Sequence, residues 1–335
     1  MRAWSLSKFG FEGLELSERP DPRPGPGQVL VEMKAWSLNA RDLRIVEGSY
    51  NPRQRLPLVP LSDGAGVVLE TGPGVQGVAA GDRVVSLFFQ GWPAGRPTRE
   101  RLKTALASPL DGVLAERVVL EASGIAPAPK GLSDAEAATL PCAGLTAWSA
   151  LELAGTTSGD VVVTQGSGGV SVLALLLAKA RNARVIATSR TGAKADKLRA
   201  VGADLVIATS EVPDWGTSIK RKLTDGGADH VVEVGGAGTL AQSIEAVRPD
   251  GVVSIIGVMS GFSGPLSLLP VLMQNIRLQG VIVGSRDGFL AMSRAIEAAS
   301  LRPPIDVELP FEAFGSALVR MRSGEHFGKI VLRRD

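Results

Sequence analysis

Residues Val161–Ala180 read VVVTQGSGGVSVLALLLAKA, a run of β-formers that passes through a glycine-rich turn into an apolar helical pattern. A second strand pattern, ARVIATSR, follows at Ala183–Arg190 and completes a strand–helix–strand unit. Glycines at such a turn let the backbone lie against a pyrophosphate, and the helix that opens at Gly168–Gly169 directs unpaired N–H groups at that anion. The third glycine position is the small residue Ser171, and no G-K-[ST] follows that would indicate a P-loop. The stretch therefore predicts a dinucleotide-binding Rossmann unit, and a glycine-rich turn without a ligand is the alternative.

The end of the second strand indicates which dinucleotide is bound. An NAD site usually carries Asp or Glu about 20 residues after the first glycine, where the carboxylate binds the ribose 2′-hydroxyl. This chain has Thr188, Ser189 and Arg190 there, with Lys194 four residues later. A hydroxyl and two cations favour a 2′-phosphate, so the pattern predicts NADP(H). The alternative is that Arg190 and Lys194 are solvated charges at the start of a helix.

The composition indicates a globular chain of about two domains. The chain has 335 residues, of which 44% are hydrophobic and 21% charged, and a formal net charge of +2. So small a net charge does not indicate a nucleic-acid partner. Cys142 is the only cysteine, which excludes an intrachain disulfide and fits a reducing, cytoplasmic compartment. We recognise no signal peptide and no apolar run long enough to span a bilayer, so no membrane partner is expected.

Two kinds of sequence pattern divide the chain. Up to residue 124 the pattern is β-rich with turns, and Phe89–Gly112 is expected to be a long surface loop. Ser133 and Glu136 have the spacing of a capping box, and strands then alternate with helices, which predicts a parallel, doubly wound α/β sheet. The elements expected there are strands 161–165, 184–188, 204–207, 229–234 and 251–256 and helices 169–181, 193–201 and 289–300. The strand-like FGKIVLR near the end is expected to rejoin the first domain, so the predicted domains are 1–124 completed by 301–335, and 125–300.

Several motifs, in order along the chain, resemble the medium-chain dehydrogenase/reductase superfamily. They are SLNARD (Ser37–Asp42), PLSDGAGVV (Pro60–Val68), GDRV (Gly81–Val84), AATLPCAGLTAW (Ala137–Trp148), TQGSGGVS (Thr164–Ser171), HVVEVGG (His230–Gly236) and FGKIVLR (Phe327–Arg333). The resemblance is to the zinc-independent branch of quinone oxidoreductase-like and alcohol dehydrogenase-like proteins. It implies a GroES-like catalytic domain beside the Rossmann domain, with hydride transfer to a small-molecule substrate in the cleft between them. It also implies a homodimer formed through the edge strand at Arg277–Ser285.

The positions that hold zinc in metal-dependent members of that superfamily have changed in this chain. The resemblance places Asn39 at the first catalytic ligand position and Ser62 at the second, and only Cys142 is retained. The structural zinc lobe is also missing, because residues 88–112 contain no cysteine. Zinc requires N, S or O ligands of the Cys, His or carboxylate type. The chain is therefore expected to hold no metal, and Cys142 is interpreted as a small buried hydrophobic residue.

A site without a metal favours some reductions over others. Reduction of an isolated carbonyl creates a strongly basic alkoxide, whereas reduction of the C=C of an enone or quinone places the charge on a less basic enolate that hydrogen-bond donors can stabilise. The candidate catalytic donors are Asn39, Tyr50 and Ser62. For Tyr50, a hydroxyl that merely faces water is the alternative. The nearby Asp42 and Asp63 are expected to be structural ion-pair members.

The resemblance also assigns the cofactor contacts. Thr146 is assigned to the nicotinamide end, Gly168, Gly169 and Val170 to the pyrophosphate, and Ser189, Arg190 and Lys194 to the 2′-phosphate. Gly235 is assigned to the adenosine half. The loops around the nicotinamide contribute Gly257, Val258, Met259, Val283, Ser285 and Phe327. The chain departs from its relatives at VIAT (Val206–Thr209), where a tyrosine often frames the phosphate end.

Three functions therefore stay open at the sequence level. The first is an NADP(H)-dependent enone or quinone reductase. The second is an alcohol or aldehyde dehydrogenase-reductase without zinc, and the third is a cofactor-binding regulatory or structural protein without turnover. The substrate itself depends on loops near residues 48–57, 88–112 and 260–275, whose packing the sequence does not show.

Overall fold

The computed structural model describes residues 1–190 and 192–334, and Asp335, the last residue of the predicted C-terminal segment, lies outside them. The chain forms two compact units. The first unit contains Met1–Leu145 and the chain from Val283 onward, and the second contains Thr146–Ile282. Residues 125–145 and 283–300 thus belong to the first unit by their contacts, whereas the sequence pattern assigned them to the nucleotide-binding domain.

The strands and helices are numbered along the chain. The strands are β1 Arg2–Leu6, β2 Leu14–Glu18, β3 Gln28–Ser37, β4 Asp63–Thr71, β5 Arg83–Ser86, β6 Arg117–Glu121, β7 Ile125–Pro127, β8 Val161–Gln165, β9 Arg184–Ser189, β10 Leu205–Ala208, β11 Ala228–Glu233, β12 Val247–Ile255, β13 Arg277–Gly280, β14 Ile305–Pro310 and β15 Lys329–Arg333. The α-helices are α1 Ala40–Val46, α2 Arg99–Leu102, α3 Asp134–Ala138, α4 Leu145–Ala154, α5 Gly169–Ala180, α6 Ala195–Ala200, α7 Trp215–Lys222, α8 Leu240–Ala246, α9 Leu269–Met273, α10 Arg286–Ala298 and α11 Phe314–Ser323. Single 3₁₀ or π turns lie at Phe11–Gly13, Ala122–Gly124, Leu140–Gly144, Gly192–Lys194 and Phe311–Ala313.

The first unit is built on a mixed sheet with the strand order β14-β15-β3-β4-β5-β7, and β6 also pairs with β3. The long strand β3 has antiparallel partners on both sides, β15 at Val331↔Ser37 and β4 at Ser37↔Asp63. The C-terminal strand β15 therefore rejoins the first part of the chain, as its sequence predicts. This pairing places the start of β15 and the start of β4 beside the end of β3.

The second unit is a parallel six-stranded sheet with the order β10-β9-β8-β11-β12-β13. This is the order of a doubly wound Rossmann fold, in which ligands bind beyond the carboxyl ends of the strands where the order reverses, here between β8 and β11. The predicted α/β fold class is confirmed. The sequence also located β8, β9, α5 and α6 to within about three residues, although it did not identify α7 and α8. Helix α7 carries Trp215 and Ile219 on its buried face, and they pack into the core of this unit.

The segment Phe89–Gly112 was predicted to be a surface loop, and that prediction is wrong. Phe89, Trp92 and Leu106 are buried, and α2 lies within the segment. The Phe88, Phe89 and Trp92 rings contact one another in series, the first pair edge-to-face and the second tilted, with centroids 4.8 and 5.5 Å apart. The apolar residues have no helical or strand period, so the sequence pattern did not reveal that they pack on one another.

None of the helices in residues 1–190 and 192–334 has both the length and the apolar character that crossing a membrane requires.

Candidate active site and nucleotide site

The glycine-rich turn of the second unit has the geometry of an anion-binding turn. Strand β8 ends at Gln165, Gly166 has φ +75°, and Gly168 is the N-cap of α5. A Cβ added at Gly166 or Gly168 would meet no atom within 4 Å, so there is open space above both residues. The first backbone N–H groups of α5 have no partner within the helix and carry the positive end of its dipole. The turn thus offers a diphosphate both room and donors.

Ser171 occupies the third glycine position for a packing reason. Its side chain is buried, and its hydroxyl donates to the Gln165 carbonyl at 2.5 Å, which ties the first turn of α5 to the end of β8. A larger residue would separate helix from strand.

The end of β9 is where the sequence predicts a 2′-phosphate. Thr188 and Ser189 are buried, whereas Arg190 is exposed. Its backbone carbonyl accepts from Ser210 N at 3.1 Å, which fixes the start of the turn. Within the described residues the Arg190 guanidinium enters no ion pair, so its charge is available to a ligand. Lys194 is half-buried at the end of the turn Gly192–Lys194.

A buried carboxylate organises the carboxyl end of β11, and the sequence analysis did not identify it. Glu233 is fully buried, and its Oε1 accepts from Gly235 N at 2.6 Å, Gly236 N at 2.8 Å and Thr239 Oγ1 at 2.7 Å. Its Oε2 accepts from Gln165 Nε2 at 2.7 Å and from the Ser243 hydroxyl. Glu233 thereby links the last residue of β8 to the loop of Gly235, a predicted cofactor contact. An acidic residue at the end of the apolar run HVVE was the available signal.

The remaining predicted cofactor residues lie in both units. Thr146 and Gly257–Met259 belong to the second unit, whereas Val283, Ser285 and Phe327 belong to the first. A Cβ at Gly257 would lie 2.1 Å from the Val234 carbonyl oxygen, so this glycine has a packing role of its own.

Val283 and Ser285 determine the backbone conformation of the segment that leads into α10. Val283 is buried with φ +46°, a strained conformation for a β-branched residue. Ser285 caps α10 by accepting from Gly288 N at 3.2 Å.

The predicted catalytic residue Asn39 lies in a buried polar cluster of the first unit. It is the N-cap of α1, and its backbone N–H donates to Asp42 Oδ2 at 2.7 Å. Its side-chain Oδ1 accepts from the Lys329 ammonium at 2.5 Å, and the same Nζ donates to the Leu38 carbonyl at 2.5 Å. Asn39 is 7% exposed and Lys329 3%. Lysine is rarely buried without a charged partner.

Asp63 is the carboxylate that complements this cation. It is fully buried at the start of β4, and it accepts from Ser62 Oγ at 2.7 Å and from Cys142 N at 3.1 Å. Burial raises the pKa of Asp63, while Lys329 and the Asn39 amide act to lower it. Burial likewise lowers the pKa of Lys329, and Asp63 opposes that change. The Asn39 amide thus accepts from the Lys329 ammonium through its oxygen, and as a side-chain hydrogen-bond donor it lowers the pKa of Asp63.

Three buried polar atoms at the start of α1 lack a hydrogen-bond partner at ordinary distance and angle among the described residues: Asn39 Nδ2, Arg41 Nε and Asp42 Oδ1. Buried polar groups are normally satisfied, so each of these atoms requires an explanation. Burial raises the pKa of Asp42 to about 6, which Arg41 partly offsets.

The other two predicted catalytic residues are placed differently. Ser62 is fully buried and its hydroxyl already donates to Asp63, so it offers a substrate no further proton. Tyr50 is 44% exposed, and its ring packs on Arg41, with the guanidinium carbon 4.8 Å from the ring centroid. Arg41 also packs on the Phe88 ring at 4.5 Å and donates to the Leu106 carbonyl at 2.9 Å. The structure therefore places Asn39 and Ser62 around Asp63, and Tyr50 beside Arg41.

The donors at the predicted metal-ligand positions do not suit zinc. The Asn39 oxygen is bound to an ammonium, the Ser62 hydroxyl is a neutral donor to Asp63, and Cys142 is the only thiol. Burial raises the pKa of the Cys142 thiol, which opposes formation of a thiolate ligand. Across residues 1–190 and 192–334, no group of three or more His, Cys, Asp or Glu residues is arranged to hold a metal ion.

Two protein-family models match the chain. The alcohol dehydrogenase GroES-like domain matches residues 25–130, and the zinc-binding dehydrogenase domain matches residues 169–298.

Curated relatives match along the whole chain. A zinc-type alcohol dehydrogenase-like protein of Schizosaccharomyces pombe is 39% identical over 335 residues, which cover 97% of this chain and 96% of the relative. An acryloyl-coenzyme A reductase of Metallosphaera sedula is 28% identical over 331 residues, which cover 96% of each chain.

Solved structures agree with this likeness. A candidate alcohol dehydrogenase from Sinorhizobium meliloti 1021 is 40% identical, with a TM-score of 0.92 and coverage of 99% of this chain and 98% of that one. An NAD-dependent alcohol dehydrogenase is 35% identical, with a TM-score of 0.91 and full coverage of both chains. The chain therefore belongs to the medium-chain dehydrogenase/reductase superfamily, as an alcohol dehydrogenase-like oxidoreductase that uses a nicotinamide cofactor.

Proposed function

We propose that this protein is a zinc-independent, NADP(H)-dependent reductase of the C=C bond in a small conjugated carbonyl such as an enone or quinone. The observation that carries the proposal is the buried cluster at Asn39, where an amide bound by the Lys329 ammonium stands at the first of the positions that ligate zinc in metal-dependent relatives. The bound nicotinamide supplies the hydride.

The chemistry of the polar groups distinguishes two kinds of reduction. A ketone reduced without a metal leaves a strongly basic alkoxide, which requires a proton donor or a cation in direct contact. An enone reduced at its β-carbon leaves an enolate, whose charge is delocalised and whose oxygen a few fixed donors can stabilise. Asn39 Nδ2 is a buried donor without a partner at ordinary distance and angle within the described residues, which suits the second case.

Tyr50 is the second donor in the proposal. Its side chain is exposed, and its ring packs on the Arg41 guanidinium. We assign no donor role to Ser62, because its proton is already engaged by Asp63. A relative named as an acryloyl-coenzyme A reductase acts, by that name, on a conjugated C=C bond, which supports this reaction class.

The NADP(H) preference is proposed from the end of β9. No acidic residue stands where an NAD site needs one, and the exposed Arg190 follows the buried Ser189. A 35% identical relative is named as NAD-dependent, so the preference must be tested with both cofactors.

We also propose a homodimer formed through the predicted segment Arg277–Ser285. Strand β13 is the edge of the parallel sheet, paired with β12 on one side. Large apolar side chains of the chain between β12 and β13 and just after β13 are exposed in the single chain, and they are Met259, Phe262, Leu268, Leu269, Leu272, Met273 and Ile282. An open strand edge beside an apolar surface invites pairing, and a second copy would cover both.

The test of the reaction is to offer an enal, in which both the C=C and the C=O are reducible, with NADPH and with NADH. We expect the saturated aldehyde as first product. Exclusive formation of the unsaturated alcohol would replace this proposal with the carbonyl reductase that the relatives' names suggest.

Two controls belong to that experiment. Elemental analysis is expected to find no stoichiometric zinc, and chelators are expected to leave the rate unchanged. Asn39→Ala is expected to lower kcat by about 10²–10³-fold if its amide is a true oxyanion donor, whereas Ser62→Ala should have a much smaller effect.

A further inference from the structure

We propose that Glu233 is a positioning residue that holds two loops of the nucleotide site, one of which is predicted to surround the nicotinamide. The first is the carboxylate-bound loop, residues 235–239, and the second is the nicotinamide-side loop, residues 257–261. Glu233 acts through these loops and contacts no reacting group. The inference rests on the use of a nicotinamide cofactor and holds whichever bond of the substrate receives the hydride.

The first argument is the set of donors around this carboxylate. Five neutral groups donate to it, and they are Gly235 N, Gly236 N, Thr239 Oγ1, Gln165 Nε2 and Ser243 Oγ. A carboxylate accepts at both of its ends, whereas a glutamine would accept at one end and donate at the other. Glu233 is fully buried, and it forms no ion pair with any other described residue. Its charge is therefore kept for the hydrogen bonds that it accepts.

The second argument is the contact between the two loops. The Gly235 carbonyl accepts from Ser260 N at 2.7 Å and from the Ser260 hydroxyl at 2.8 Å. A Cβ at Gly236 would lie 2.8 Å from Val258 Cα, so the two backbones are in close contact there. The nicotinamide-side loop, which contains Val258, therefore rests on the loop that Glu233 orders.

The third argument is that the glycine-rich turn has anchors of its own. Gly166 N donates to the Thr188 carbonyl at 2.7 Å, and Ser171 Oγ donates to the Gln165 carbonyl at 2.5 Å. Neither bond involves Glu233, which contacts the end of β8 through the Gln165 side chain. Loss of the carboxylate should therefore loosen the two loops while the turn proposed to bind the diphosphate keeps its shape.

The test compares three variants, whose folding is checked by thermal unfolding. Glu233→Gln keeps the size of the side chain but loses the acceptor at one end. In the exchange variant Glu233→Gln/Gln165→Glu, the new amide can donate to the new carboxylate, which can also accept from Ser243, so each donor has an acceptor again. The control Asp229→Asn makes the same change of carboxylate to amide at the amino end of β11, where Asp229 pairs with Arg248.

The first readout is amide hydrogen exchange in the cofactor-free protein. Glu233→Gln should speed exchange in residues 235–239 and 257–261 by about tenfold, because hydrogen bonds that hold the first loop are lost. Exchange at the start of α5 should stay as in the parent, and the exchange variant should restore slow exchange in both loops. Asp229→Asn should leave both loops unchanged. Parent-like exchange in both loops of Glu233→Gln would overturn the proposal.

The second readout is binding, measured by titration calorimetry without turnover. ADP-ribose and 2′-phospho-ADP-ribose contain the diphosphate but no nicotinamide. Glu233→Gln should weaken NADH and NADPH by about tenfold each, and the matching fragments by less than about threefold. Because each cofactor is compared with its own fragment, the result does not depend on which cofactor the parent prefers. An equal loss for cofactor and fragment would mean that Glu233 supports the whole unit and would overturn the proposal.

The third readout is the rate of nicotinamide oxidation by an enal in a single turnover at saturating cofactor. Glu233→Gln should lower this rate by about ten- to a hundredfold, since a displaced nicotinamide transfers hydride poorly, and should leave the KM for the enal little changed. The exchange variant should recover most of the rate. A parent-like rate in Glu233→Gln, or a folded exchange variant without recovery, would overturn the proposal. An enal test that shows carbonyl reduction would refute the proposed reaction and leave this inference unaffected.

Discussion

Replacement of Arg190 by alanine is the sharpest test of the cofactor assignment. Arg190 is exposed and forms no ion pair within the described residues, so its removal breaks no internal salt bridge. Within the described residues it takes part in the fold through its backbone carbonyl, which accepts from Ser210 N and which alanine keeps. A charge-assisted hydrogen bond to a phosphate contributes about 1.5–3 kcal/mol, and the exposure of Arg190 favours the lower part of that range. Arg190→Ala should therefore weaken NADPH binding by roughly ten- to a hundredfold and leave NADH binding almost unchanged.

The assay is a fluorescence titration of each reduced cofactor with parent and variant. Arg221→Ala is the matched control, since it removes an exposed arginine of the same unit at the end of α7, a helix that leads to the amino end of β11. It should affect neither cofactor. The NADPH preference of the parent should also fall as salt rises, because an exposed contact to phosphate is screened. An equal loss of NADPH and NADH affinity in Arg190→Ala would show that the residue supports the fold and would refute the assignment.

Three other outcomes are expected. Gly168→Val should abolish binding of both cofactors, because its side chain would fill the space proposed for the diphosphate. Thermal stability should stay near that of the parent, because a Cβ at this position meets no protein atom within 4 Å. A large drop in the unfolding midpoint would contradict this prediction. Asp42→Asn should remove a pH-dependent loss of stability. Since burial raises the pKa of Asp42 from 3.8 to about 6, the unfolding free energy of the parent should fall by roughly 2 kcal/mol as pH rises from 4 to 6, and urea unfolding curves of the variant should lack that slope. Phe262→Glu combined with Leu272→Glu should convert a dimer to a monomer by light scattering, and an unchanged mass would mean that another surface forms the contact or that the parent is already monomeric.

The nucleotide-binding half of this protein was largely determined by its sequence. Consecutive residues specify the strand β8, the turn at Gly166–Gly169 and the helix α5. The hydrophobic period, the conformational freedom of glycine and helix capping each depend on residues that are close together in the sequence. Strand alternation then restricts the topology of a parallel sheet to very few forms. The capping box at Ser133 and Glu136 was likewise predicted and is present, with Glu136 N donating to Ser133 Oγ at 3.2 Å. The residues proposed to bind the cofactor follow from this local information together with the family likeness.

The candidate active site was decided by the tertiary structure. The site combines four separate parts of the chain, which contain Asn39, Asp63, Cys142 and Lys329. The pairing of β3 with β4 and β15 brings the parts with Asn39, Asp63 and Lys329 side by side. In the sequence Lys329 is one cation in an apolar strand, which gives no indication that its ammonium is buried on the Asn39 amide. The reason is physical: the free energy of a buried charge depends on which distant groups surround it, and neighbouring residues in the sequence do not carry that information.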